Sequence, residues 1–445
     1  MSIIDSLFGR KEPVRNQPKI SFGRYSDSYK SEKEYDAWDE ALSLFEDEKY
    51  LESYRKFFTY LNDEQQGNVE FREENGEITF KIFQGSEVVT GIASRSKLTA
   101  RAKVVESISL NIGMMRKLLE KNFELKFCRF GIDNENAIFL LFDSYSVDAS
   151  PYKLYYGLKE LATTGDKLDD LLLAEFKGLR PDSGGAISPL SELEKEIKYR
   201  YIRDSLNLVI NEVEHGDLEV NRYPAGIGFL LLALVYKLDF LIRPEGLMME
   251  ILERAHRFYY ANNSEGVIEK NHDLLKELKT LKARSKDDFF KEMYEVKATF
   301  GITPSTSFAQ LVGTIDMNLS QMDWYEEEGY EKVALSIPQF IVGHCLFNGA
   351  VPLPIRDLFT LFYRVTEYTF FDKLGFKPPI VQSVDDKLVI SKREIREELK
   401  VITKKYEGIY PNFNPSVSAI EFQNLPKFAR SFLLMVRNLD LTKNN

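Results

Sequence analysis

VEFREENGEITFKIFQ, residues 69–84, alternates polar and apolar residues on both sides of Asn75-Gly76. That dipeptide tolerates the positive φ angles of a two-residue hairpin turn, so the stretch predicts two antiparallel strands. Ile78, Phe80 and Ile82 fall on one face of the second strand, and Thr79, Lys81 and Phe83 on the other. Phe83 is thus an aromatic on an otherwise polar face, while Val69 and Phe71 of the first strand ask for burial on one side. Val69, Phe71 and Phe83 are the candidate partner-binding residues. The expectation is that a partner chain, a client or the helical half of the protein covers the Phe83 face.

Outward from the hairpin the same two periods recur. EVVTGIAS (87–94) extends it to a three-stranded meander, and residues 104–121 read as helix, with Ile108, Ile112, Met115 and Leu119 on one stripe. ELKFCRFGI (124–132) and NAIFLLFDSY (136–145) read as two more strands about the turn Asp133-Asn134-Glu135, and Pro151 opens a helix running to about Phe176. Upstream, YDAWDEALSLFEDEKYLESYRKFFTYL (35–61) reads as a helical hairpin similar to a single tetratricopeptide-type unit. No second copy follows, and one unit cannot build a solenoid.

The order helix, three strands, helix, two strands, helix over 35–177 resembles the type III secretion chaperone-like fold. The VEFREENGEITFKIFQ hairpin, the crossing helix around NIGMMRKLL and the ELKFCRFGI/NAIFLLFDSY pair carry the resemblance. It implies an acidic module, mostly a homodimer in that family, which holds a partly unfolded client segment on apolar patches and performs no catalysis.

GLRPDSGGAISPL (178–190) separates the two periodic regimes. A phosphate-cradling loop needs a strand directly before its glycines, and DDLLLAEF is helical. Ser188 as helix N-cap with Pro189 in the first turn makes the stretch a linker. The division expected is a flexible tail (1–30), a chaperone-like α+β domain (31–179), a linker (180–188) and an all-α domain (189–445). In the last, helical periodicity marks 191–215, 225–242, 245–260, 268–282, 286–298, 305–319, 329–347, 354–373, 391–405 and 425–438, and KLVIS (387–391) reads as a short strand.

With 445 residues, 44% of them hydrophobic, the chain has material for real cores. A net charge of −10 argues against nucleic acid as the partner, since phosphate affinity needs clustered Lys and Arg. Two isolated cysteines, Cys128 and Cys345, read as buried thiols of a reducing compartment. MSIIDSLFGRKEP lacks a secretion signal's apolar core, which points to the cytoplasm. Ile3, Ile4, Leu7 and Phe8 at helical spacing before Arg10 and Lys11 fit either a frayed tail or a short membrane-surface helix. The apolar run PAGIGFLLLALVY (224–236) is short for a bilayer span, and no transmembrane segment is expected.

Three of the four histidines follow a Glu at i, i+3: Glu212/His215, Glu253/His256 and Glu269/His272. Helical bundles use that spacing to hold di-iron centres, so a helical metal-dependent oxidoreductase is the alternative reading. The flanking stripes argue against it. Ile202, Leu206, Val209, Ile210 and Val213 leave Glu212 and His215 at the edge of their helix, and Ile251, Leu252, Ala255 and Phe258 place Glu253 opposite the core. His344-Cys345 are adjacent and diverge by about 100° on a helix, so neither activates the other. Tyr325-Glu326-Glu327-Glu328 reads as a solvated face. No HExxH, GxSxG, CxxC or Walker pattern occurs. No catalytic, metal or cofactor residue is assigned, and the expected function is non-enzymatic binding of a client or partner polypeptide.

Overall fold

The computed structural model describes residues 17–107, 111–180, 187–385 and 387–444. Helices α1 (Glu32–Glu46) and α2 (Tyr50–Leu61) open an α+β part. The Glu34 carboxylate accepts from the Ser31 backbone N–H at 2.7 Å, closing the start of α1. The strands β1 (Val69–Glu74), β2 (Glu77–Gln84), β3 (Glu87–Ala93) and β4 (Lys97–Ser107) follow as a meander. Then come α3 (Ile112–Asn122), β5 (Arg129–Ile132), β6 (Ala137–Tyr145), α4 (Pro151–Glu175) and the two-residue β7 (Leu179–Arg180).

Across the sheet the order is β1-β2-β3-β4-β6-β5, antiparallel, with β7 on the end of β4. Asn75 and Gly76 turn the first hairpin at φ +52° and +79°, the left-handed pair such a turn requires. Ile78, Phe80, Ile82, Leu98, Ala100, Leu140 and Phe142 point to one side, where Phe57 and Phe58 of α2 and Leu154, Leu158 and Leu161 of α4 bury them.

The rest is largely helical. It runs β8 (Ser188–Pro189), α5 (Glu192–His215), α6 (Pro224–Ile242), α7 (Gly246–Tyr259), α8 (Val267–Ala283), α9 (Lys286–Lys291) and β9 (Tyr294–Glu295). It continues with α10 (Phe308–Leu319), α11 (Met322–Glu327), α12 (Glu331–Asn348), α13 (Leu353–Thr366) and α14 (Tyr368–Lys373). A small hairpin, β10 (Val381–Val384) and β11 (Lys387–Ile390), leads to α15 (Lys392–Tyr406) and α16 (Leu425–Arg437). Helix α6 is long and apolar enough to cross a membrane by length and composition, and it is buried inside the protein from Gly226 to Ile242. Its two buried charges have partners: Lys237 reaches Glu367 at 2.9 Å and Asp239 meets Arg24, as charges out of water must.

Several sequence expectations change. Residues 104–107 continue β4, where a bulge between Lys103 and Val105 turns both Val104 and Val105 inward. Ile108 lies outside the described residues. On α3, Ile112 and Leu119 are exposed, and Met114 and Leu118 are buried in their place. Ser188 and Pro189 do not start a helix but pair with Glu295 and Tyr294; Ser191 caps α5 instead. Residues 181–186 of the expected linker lie outside the described residues. The helix expected over 286–298 ends at Lys291.

Nor is the expected tail free from Gln17 onward. The Gln17 side chain donates to the Lys377 carbonyl (2.6 Å), Phe22 packs on Phe371 and Phe376 (5.2 and 6.0 Å), and Gly23 N–H donates to the Phe240 carbonyl (2.8 Å). The Arg24 guanidinium grips both Asp239 oxygens (2.6–3.0 Å) and Glu253 (2.8 Å). A second tie runs the other way. Residues 297–300, from the helical half, close the end of the sheet: Gly85 N–H donates to the Lys297 carbonyl (2.9 Å), and Gln84 Oε1 accepts from the N–H groups of Thr299 and Phe300 (3.1 and 2.9 Å). Buried Asn68 donates to Thr299 Oγ1 (3.1 Å), and the Phe300 ring joins the core beneath the sheet.

Candidate docking face

The side of the sheet away from α2 and α4 is open. Strand register aligns Glu70, Lys81, Thr90, Arg101, Leu141 and Arg129 in one row, and Arg72, Thr79, Ile92, Thr99 and Asp143 in the next. Directly paired residues share a face, so both rows project away from the core. Together they line a depression of about 1010 Å³.

Its electrostatics are lopsided. Arg72, Lys81, Lys97, Arg101 and Arg129 stand against Glu70 and Asp143 only, on a chain whose net charge is −10. Asp143 is shared by Lys97 (2.9 Å) and Arg129 (2.6 Å), and hydrogen bonds from both hold its carboxyl below the ordinary value. Arg72 pairs with Glu74 beyond the rim. Arg101 lies over the Phe139 ring, 5.4 Å from its centre, and among the described residues neither it nor Lys81 makes an ion pair. With strands ~4.8 Å apart, Lys81, Arg101 and Arg129 fall at roughly 10 Å intervals across the face. Ile92, 45% exposed, supplies an apolar centre between them.

This arrangement suits side chains of alternating acidic and apolar character laid over the sheet. The β1 edge is less inviting, because Glu70, Arg72, Glu73 and Glu74 are all exposed along it, and charge on an edge strand discourages pairing by another strand.

The three residues expected to bind a partner do not share a surface. Val69 is 6% exposed and belongs to the core beneath the sheet. Phe83 is 9% exposed because the helical half covers it, with the Lys297 ammonium 4.7 Å from the ring centre. Both are therefore covered within the chain itself. Phe71 packs on Phe58 (5.6 Å) and stays partly exposed at the rim of the depression. The cationic rows do have a signal in the sequence, the alternation of KLTARAK (97–103) within β4.

The Glu-x-x-His pairs are scattered. Glu212 pairs with Lys332 while His215 is exposed at the end of α5. Glu253 is engaged by Arg24 and Lys167 (2.8 and 2.9 Å); burial would raise its pKa, but these two cations hold it down. His256 turns away from Glu253 to bond the Tyr236 hydroxyl at 2.8 Å, and burial, reinforced by nearby His344 and Arg24, pushes its pKa down to about 4. It takes the inward place expected of Phe258, which is 48% exposed. The His272 side chain faces solvent. Among the described residues no group of three or more His, Cys, Asp or Glu is placed to hold a metal ion.

The two thiols are buried and free, and burial pushes Cys345 up to about 12, far from a nucleophile's range. His344 bonds Asn348 (3.1 Å) rather than the adjacent Cys345.

No protein-family model matches the chain, and no curated protein sequence matches it significantly.

Proposed function

We propose that this is a non-enzymatic, cytoplasmic binding protein that holds an extended, acidic segment of a partner polypeptide across the open face of the sheet. The observation that carries the reading is the excess of cations, with Lys81 and Arg101 free of ion pairs among the described residues, on an otherwise acidic chain. The resemblance of residues 35–177 to the type III secretion chaperone-like fold supports it, because that family holds client segments on the sheet and helices. Charge complementarity of this kind sets partner choice and association rate more than raw affinity.

The test is fluorescence anisotropy with labelled peptides in which Glu or Asp alternates with Val, Ile or Tyr, against a matched peptide carrying Lys for Glu. The acidic peptide is expected to bind, to weaken as salt rises past about 0.15 M, and to lose about 10-fold or more in the Lys81→Glu/Arg101→Glu variant. Equal binding of the Lys peptide, or an unchanged Kd in the variant, refutes the proposal. So does a dimer in sedimentation that this variant abolishes, since the face would then be a self-interface.

A further inference from the structure

Where α4 meets the helical half, the charges do not balance. Asp166, Asp169 and Asp170 lie at i, i+3 and i+4, on one face of α4. Ser86 ties down two of them, its N–H donating to Asp166 (2.8 Å) and its hydroxyl to Asp169 (2.7 Å). Against this face comes the loop Arg243-Pro244-Glu245-Gly246 that joins α6 to α7. Gly246 sits at φ +60°, and a Cβ there would stand 3.1 Å from the Asp170 carboxylate, so the loop is pressed close onto the acids. Glu292, also at this seam, is taken by Arg284 (2.5 and 2.7 Å). Arg243 directs a donor to the Val296 carbonyl (3.3 Å).

Glu245 is left over. It is 9% exposed and, among the described residues, makes no hydrogen bond through its side chain and no ion pair, a costly condition for a carboxylate that the nearby charge of Arg243 offsets only in part. It lines a cavity of about 420 Å³ between the two halves, together with Asp166. Among its polar and charged lining, Leu168, Met249, Phe300 and Ile302 supply apolar surface. Its volume falls in the range of small-molecule sites, which favour such boundaries between structural units.

We propose that this cavity binds a small organic amine, its ammonium between the carboxylates of Glu245 and Asp166 and its apolar body against Leu168, Met249 and Phe300. Of the cations that also line the cavity, Arg24 is committed to Asp239 and Glu253, Lys167 to Glu250 (2.7 Å) and Glu253, and Lys121 to Glu124, while Arg243 donates to the Val296 carbonyl. An anion would meet Arg243 alone and stand beside two carboxylates, whereas a cation finds both carboxylates. A metal ion lacks the ligand set, since no group of three or more candidate ligands converges among the described residues, and it would leave the apolar surface unused. Burial, only partly offset by Arg243 and reinforced by Asp170, pushes Glu245 up to about 7, and burial with the charge of Glu245 raises Asp166 well above its ordinary value. An ammonium would reverse that penalty by supplying the missing charge.

The experiment is isothermal titration of the full chain with 2-phenylethylamine, tryptamine and cadaverine, with 3-phenylpropionate and calcium chloride as controls. At least one amine binds, Glu245→Gln weakens it about 10-fold or more, and the Lys81→Glu/Arg101→Glu variant on the sheet face leaves it unchanged. Glu245→Gln removes a buried charge whose desolvation its neighbours offset only in part, so the variant folds, and its melting temperature without ligand is raised. No heat from any amine at millimolar concentration overturns the proposal. So does amine binding that Glu245→Gln leaves intact, or preferential binding of 3-phenylpropionate or calcium.

Discussion

Replacing Phe300 by Ala tests whether the two halves of the chain form one cooperative structure. Phe300 is 1% exposed, belongs by sequence to the helical half, and lies in the core beneath the sheet with its ring centre 5.6 Å from that of Tyr155. Removing a buried phenyl ring costs about 3–5 kcal/mol, partly as lost transfer energy and partly as the cavity left behind. The backbone N–H of residue 300 keeps its bond to Gln84, so the loss is one of packing. The chain has two tryptophans, and each reports on one half: Trp38 packs on Phe57 and Tyr60 beside the sheet, Trp324 on Tyr223 and Tyr330. Urea unfolding followed by fluorescence in Trp38→Phe and Trp324→Phe backgrounds separates them. Without the Phe300 change the two midpoints coincide. With it, the Trp38 midpoint drops first and the Trp324 midpoint lags. Met317→Ala, at a side chain 75% exposed, serves as control and stays within about 0.5 kcal/mol. A Phe300→Ala loss below about 1 kcal/mol, or a drop confined to the Trp324 signal, refutes the reasoning.

The carboxylates at the seam make stability depend on pH in an unusual direction. Burial and Asp170 raise Asp169 to about 8, burial raises Glu245 to about 7, and burial with Glu292 raises Asp170 to about 6. Acids whose folded pKa is raised stabilise below their unfolded pKa and lose that contribution as pH climbs through the folded value. The melting temperature therefore falls between pH 5.5 and 8.5, with Glu245 contributing up to about 3 kcal/mol, and Glu245→Gln flattens the profile. Arg24→Met strands the Asp239 carboxylate in the core and costs about 3–5 kcal/mol in urea unfolding, most of it recovered in the Arg24→Met/Asp239→Asn double variant. Phe83→Lys sets a second ammonium against Lys297 in a buried site and lowers the melting temperature of the full chain, since the ring is covered from within.

Much of this fold was legible because its signals are local. The Asn75-Gly76 turn, the alternation of EITFKIF and the helix start at Pro151 each carry their own physics within a few residues. What escaped depends on distant partners. β4 was missed because its inward residues include Ala100 and Ala102, weak strand formers that pair only because β3 and β6 flank them. YEVKATF looks like the end of a helix until Gly85, Gln84 and Asn68 offer hydrogen bonds from more than 200 residues away. Alternation told which residues leave the sheet on the Phe83 side, but not that Lys297 would cover one end of that side and leave Lys81 and Arg101 open. Glu245 gave no signal at all. Its isolation arises only when α4 and the loop after α6 meet.

The strap around Arg24 also imposes an order on assembly during synthesis. Its platform is built from Phe240, Glu253, Phe371 and Phe376, and at about 5–20 residues per second Arg24 leaves the ribosome roughly 20–70 s before the last of them. Throughout that interval its guanidinium and the Phe22 ring wait in solvent, while the sheet, which needs little beyond residue 175 apart from Phe300 and its neighbours, can already collapse. Residues made early are thus among the last to dock. A segment that closes only when the far end of the chain has arrived acts as a seal on completed synthesis, and a chain truncated before α14 leaves that seal open.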